Sequence, residues 1–179
     1  LVVLARLARH SDGDIRYQVA LALPFCENGA DPEQLAQALI DLTEDPDDQV
    51  RNVATFGLGT QTDLDAPNVR AALGRRLADE RQDVRDEAIV GLARRRNGGL
   101  LPIVAARIQH DEVGKLAVEA AAYLSDPILL APLQDLETWW DLDPDLLNEA
   151  LACCDPQDRA RQLAAQTSFM AELEAALAA

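Results

Sequence analysis

A short motif returns along the chain at a spacing too regular for chance, and nothing else in the sequence limits the fold as much. Asp14-Ile15-Arg16-Tyr17-Gln18-Val19, Gln49-Val50-Arg51-Asn52-Val53-Ala54 and Asp83-Val84-Arg85-Asp86-Glu87-Ala88 align without gaps. Three places later comes a small residue (Ala22, Gly57, Gly91), and then a Leu (Leu23, Leu58, Leu92). Leu116-Ala117-Val118-Glu119-Ala120 and Leu146-Leu147-Asn148-Glu149-Ala150 are weaker copies. With Val19, Ala54, Ala88, Ala120 and Ala150 taken as equivalent, the spacings are 35, 34, 32 and 30 residues.

Each copy reads as two helices. The first carries apolar residues at helical spacing, as in Leu35, Leu39 and Leu42 or Val69, Leu73 and Leu77. A polar break follows, such as Glu44-Asp45-Pro46-Asp47-Asp48, rich in Asp because a carboxylate accepts the unpaired N–H groups of a helix start and suits its positive dipole end. The second helix then begins near Ile15, Val50, Val84, Leu116 or Leu146, with Asp45, Asp79, Asp111 or Asp141 five residues before it in four copies and His10 in the first. No strand pattern of comparable length occurs. The expectation is an all-α superhelix of about five helix pairs forming one repeat domain over 1–179. Its repeats lie at about 1–28, 29–62, 63–97, 98–126 and 127–155. A C-terminal cap over 156–179 would use Leu163, Ala164, Phe169, Leu173 and Leu177 to cover the last repeat.

The stretch from Asp45 to Gly59, and Asp83 to Leu92 after it, resembles a HEAT repeat, particularly the short HEAT-like type first named from phycobilisome lyases. That resemblance implies a ladder in which a loop Asp and an Arg of the second helix of each copy, helix B, pair from repeat to repeat. The Arg role falls on Arg16, Arg51 and Arg85, and the Asp role on Asp45 and Asp79. The last two copies depart from it, with Ala117 and Leu147 at the Arg position.

On the second helix, offsets +4, +7 and +8 from its lead residue form the seam against the first helix. The opposite side holds Tyr17, Ala20 and Leu21, then Asn52, Thr55 and Phe56, then Asp86, Ile89 and Val90. In a solenoid this side lines the concave surface, which makes Tyr17, Asn52, Phe56 and Asp86 candidate partner contacts. The alternative is that Phe56 and Val90 pack between neighbouring helices. Trp139 and Trp140 are also candidates: adjacent helical residues cannot share a face, so one packs and the other is partly exposed, as a binding anchor or as part of an end cap.

The net charge of -15 is unevenly spread: -8 over 1–69, +4 over 70–107 and -11 over 108–179. The middle block, with Arg75, Arg76, Arg81, Arg85 and Arg94 to Arg96, either seats an acidic partner or neutralises acids on neighbouring repeats. The acidic remainder is a poor match for phosphate backbones, so nucleic acid is not an expected partner. No apolar run is long enough for a membrane helix. The opening LVVLARLARH has no initiating Met and no cleavage-site pattern, and reads as the cut edge of a fragment rather than a signal peptide. Cys26, Cys153 and Cys154 read as reduced thiols of a cytoplasmic protein.

His10 and His110 lie about three repeats apart, and no metal-ligand spacing, phosphate loop or nucleophile elbow is present. The expected function is therefore a non-enzymatic scaffold that binds a protein segment, with no metal and no cofactor. Two alternatives stand. One is an enzyme on the same fold, like the phycobilin lyases or the alkylpurine DNA glycosylases; Trp139, Trp140 and Asp141 faintly echo the latter, but the charge around them opposes DNA. The other is a structural segment of a larger chain.

Overall fold

The Asp-rich breaks become helix starts. In the computed structural model, which describes residues 1–161 together with 164, 167 and 169, ten α-helices precede a further helical stretch that begins at 156, and there is no strand among the described residues. They are α1 (Val2–Leu7), α2 (Gly13–Ala22), α3 (Pro32–Thr43), α4 (Asp48–Phe56), α5 (Pro67–Arg76), α6 (Gln82–Arg94), α7 (Leu101–Ile108), α8 (Lys115–Leu124), α9 (Leu130–Leu136) and α10 (Pro144–Cys154). Asp12, Asp31, Asp47 and Asp143 accept backbone N–H groups in the first turns of α2, α3, α4 and α10. Pro opens α3, α5 and α10, where its missing N–H would have had no helical partner.

The chain divides into two compact units, residues 1–100 and 101–179, at the junction of the third and fourth copies. In the first unit the pairs are α1–α2, α3–α4 and α5–α6. The second helices α2, α4 and α6 lie side by side in one layer, with α3 and α5 packed together in the other. Leu23, Leu35, Leu39, Leu42, Val50, Leu58, Leu73 and Leu92 fill the space between layers and are almost wholly buried. Each such side chain contributes about 1.5–3 kcal/mol relative to staying exposed. In the second unit, α8 packs on α10 and α7 on α9, around Ile108, Val118, Leu129, Leu133 and Leu136.

Helix α4 does not stop at Phe56; it widens into a π-helical turn, Gly57–Gln61. Its backbone then passes so close to α6 that a Cβ added at Gly91 would sit 2.6 Å from the Gly59 Cα. In the tail, residues 156–161 are helical. Phe169 is 64% exposed, and Leu163, Leu173 and Leu177 of the expected cap lie outside the described residues.

Candidate functional site

In the first two strong copies the Arg that follows the lead residue of the second helix does two things at once. Arg16 donates from Nη1 to the carbonyls of His10 and Ser11, closing its own inter-helix turn, and from Nε and Nη2 to Asp45 at 2.6 and 2.9 Å. Arg51 repeats the pattern one copy later, on the Asp45 and Pro46 carbonyls and on Asp79 at 3.0 and 3.2 Å. Arg85 donates to the Asp79 and Glu80 carbonyls. The fork of the guanidinium allows this, since one edge meets two carbonyls while the other meets a carboxylate. Burial would raise the Asp45 carboxyl, but the hydrogen bonds from Arg16 and the Asp47 N–H and the charges of Arg16 and Arg51 outweigh it and hold it below the usual value. Asp79 is likewise raised by burial and lowered by more through Arg51, the Arg81 N–H and Arg76.

These carboxylates set an acid limit. Their folded values are depressed, so the stability they contribute is complete above the unfolded carboxylate value of about 3.9 and is lost as the pH falls through the folded values. Melting of the parent is expected to fall steeply below about pH 4, and less steeply in Asp45→Asn/Asp79→Asn. Arg51→Ala should cost about 1–3 kcal/mol at neutral pH. Equal acid losses in parent and double variant would remove the ladder as the cause.

The helix-B face is not the one offset arithmetic describes. Ala20, Thr55, Ile89 and Val90 are buried, because α2 and α6 pack on α4 and α6 also packs on the π-helical end of α4; Val90 thus follows the packing alternative. The open side is rotated toward the helix starts. It forms a groove of about 270 Å³ with Tyr17 on α2, Asp48, Gln49, Asn52 and Val53 on α4, and Arg81, Asp83 and Val84 from the start of α6. Tyr17 and Asn52 thus come together; Phe56 and Asp86 are half-buried and do not line it. The Asn52 Oδ1 is buried at the groove without a hydrogen-bond partner, while Arg81 is held by Asp48 at 3.3 Å and Asp83 at 3.4 Å. A wider depression on the other layer is lined by Pro32, Ala36, Leu64, Pro67 and Val69 among others.

The basic block is not an open patch. Arg75 pairs with Glu44 at 2.7 Å, and Arg76 with Asp79 and the Thr43 carbonyl. Arg94 reaches Asp63 and the Thr60 carbonyl. Arg95 is buried, with its guanidinium on the carbonyls of Leu58, Gly59, Thr62, Leu64 and Gly91. Four of these carbonyls belong to the end of α4 and the loop after it, where the helix has no further N–H to offer. The arginines therefore neutralise and cap neighbouring repeats, and the acidic-partner reading of this block is set aside.

In the second unit other groups join the two pairs. Lys115 meets Asp143 at 3.1 Å, and the Trp140 indole, 5% exposed, donates to the Val113 carbonyl at 2.8 Å. Trp140 is therefore a packing residue; Trp139 is 51% exposed. The two histidines serve turns: His10 Nδ1 accepts the Asp12 N–H and His110 Nδ1 the Glu112 N–H. All three cysteines are free thiols, and burial pushes Cys154 up to about 11. Among the described residues no three His, Cys, Asp or Glu side chains are grouped to hold a metal.

Residues 36–125 match the family of HEAT repeats. Protein YibA from Escherichia coli strain K12 is 31% identical over 113 residues, which are 63% of this chain and 40% of YibA; the O157:H7 protein gives the same figures. The X-ray structure of E. coli YibA superposes with a TM-score of 0.70 at 25% identity, covering 86% of this chain and 54% of that one. The crystal structure of an engineered protein shares the fold, with a TM-score of 0.57 at 19% identity over 85% of this chain and 78% of that one. The chain spans about 40% of the length of the curated relatives it matches.

Proposed function

Because the chain belongs to the HEAT-repeat family, through the match over half its length, we propose that it is a non-enzymatic scaffold that binds a segment of another protein in the groove across α2, α4 and α6. One observation carries this reading. The Asn52 Oδ1 is a buried acceptor with no donor, placed beside Tyr17 at an open groove. Such an acceptor costs free energy until an N–H reaches it, and a peptide backbone or amide side chain brings one. Tyr17 adds a stiff amphipathic surface for a side chain of the bound segment. The groove runs over three successive second helices, which suits an elongated ligand better than a small molecule. Three free thiols fit a reducing, cytoplasmic setting.

The test is selection from a displayed random-peptide library against the whole chain. Selected peptides are expected to lose about tenfold or more in affinity for a folded Tyr17→Ala/Asn52→Ala variant. They should bind Leu64→Ala, in the depression of the other layer, as they bind the parent. Binding that survives the first variant and fails in the second would move the site to that depression. Turnover of a small substrate by the parent would end the scaffold reading.

A further inference from the structure

We propose a second interaction surface, on the loop between α9 and α10, for a basic amphipathic segment of a partner protein. It is independent of the groove and of the ligand the groove takes. Trp139 is 51% and Leu142 54% exposed, although both are large apolar side chains. Only two residues of chain lie between them, so their Cα atoms are within about 11 Å of each other.

The loop that carries them is held firmly. The Trp139 and Trp140 N–H groups both return to the Leu136 carbonyl, and the Trp140 indole is anchored on Val113. At the other end Asp143 accepts the Leu146 N–H at 3.2 Å and pairs with Lys115. Trp139 and Leu142 flank the buried Trp140, so burying that ring leaves them displayed on a loop pinned at both ends. A pre-organised exposed Trp beside a second apolar side chain has the properties of a binding anchor.

Charge decides what sits on it. Residues 135–145 contain Asp135, Glu137, Asp141, Asp143 and Asp145 and no Lys or Arg. Among the described residues, the Lys115–Asp143 contact is the only ion pair made in this segment. Glu137 and Asp141 are exposed and interleaved with the two apolar side chains. A phosphate-bearing surface would be repelled. A segment with Lys or Arg among apolar residues would place cations on the carboxylates and over the Trp139 ring, and an aliphatic side chain against Leu142.

The probe is a synthetic amphipathic helical peptide of Lys, Arg and Leu, titrated calorimetrically into the whole chain. Its counterpart with Glu at every basic position is the control. The basic peptide should bind, more weakly as salt rises from about 0.05 to 0.3 M, and the acidic one should not. Trp139→Ala is expected to weaken binding about tenfold, with Trp139→Phe recovering much of it. Glu137→Gln/Asp141→Asn should weaken it several-fold and flatten its salt dependence. Phe25→Ala, which removes an exposed aromatic of the first unit, and Tyr17→Ala/Asn52→Ala should leave it unchanged. No binding by the parent, or parent-like binding by Trp139→Ala, overturns the proposal. So does self-association of the parent that Trp139→Ala abolishes, which would assign the patch to a second copy.

Discussion

Replacing Arg95 with Met is expected to destabilise the unit of residues 1–100 by roughly 3–5 kcal/mol, as removal of one partner from a buried charged network does. The guanidinium is nearly without solvent contact and lies on five backbone carbonyls, at distances from 2.6 to 3.4 Å. Burial pulls Arg95 below its ordinary value and the charges of Arg94 and Arg70 add to this, while Asp65 at 3.8 Å opposes it. Arginine starts so high that it stays charged. Met keeps the bulk of the stem but strips the Leu64 carbonyl of its donor and leaves those of Leu58, Gly59 and Thr62 with only the longer bonds from the Thr62 hydroxyl and Arg94, at 3.1 to 3.4 Å. Arg95→Lys should recover only part of the loss, since an ammonium carries three donors and cannot reach all five carbonyls. For a unit of this size the drop in Tm should exceed about 10 °C for Met. A Met variant melting within about 2 °C of the parent would show that water replaces the guanidinium at no cost.

That residue also shows where sequence reading stops. The Asp-rich breaks state where helices begin, because capping is local chemistry and the acceptor lies two or three residues from its donor. The pairs of Arg16 with Asp45 and Arg51 with Asp79 came through the family resemblance, which carries spatial information that spacing lacks. Arg94 and Arg95 had no such help. Neutralising acids on neighbouring repeats was one of the two readings of the block, and Arg94 does reach Asp63, but most acceptors of this pair are backbone carbonyls, which every residue possesses, 31 to 37 residues earlier in the chain. Helical-wheel arithmetic placed Thr55 and Ile89 on an open face because it treats a helix as having one neighbour. With α2, α4 and α6 in one layer, α4 is covered on two flanks and α6 by α4 together with its π-helical end, and the open strip narrows to Tyr17, Asn52 and the residues before them. Lys115 was missed for a simpler reason. It makes its inter-repeat contact from just before the lead residue of its helix, two positions ahead of the slot that Arg51 occupies.

Gly91→Ala and Gly74→Ala are expected to change stability in opposite directions, although both exchange a helical Gly for the best helix former. At Gly74, in α5, an added Cβ meets nothing within 4 Å, so the change should stabilise by about 0.5–1 kcal/mol through the smaller entropy of the unfolded chain. At Gly91 the same carbon would lie 2.6 Å from the Gly59 Cα, 3.4 Å from its carbonyl carbon and 3.2 Å from a Leu73 methyl. Two of those neighbours are backbone, which no rotamer change can move, so α6 and the π-helical end of α4 would have to separate. Overpacking of this kind costs about 1–3 kcal/mol and at times more, enough to outweigh the gain in helix propensity. Gly59→Ala presses on the same contact from the other side, with its Cβ 3.0 Å from the Gly91 Cα. Once one methyl has parted the helices the second finds space, so the double variant should cost less than the two single losses together. Separation would reach the groove, because Asn52 on α4 and Val84 on α6 belong to its walls. Gly91→Ala should therefore weaken groove peptides while sparing the basic peptide at Trp139. Thermal melts of the four variants settle the packing claim: a stabilising Gly91→Ala would mean that the two backbones do not meet.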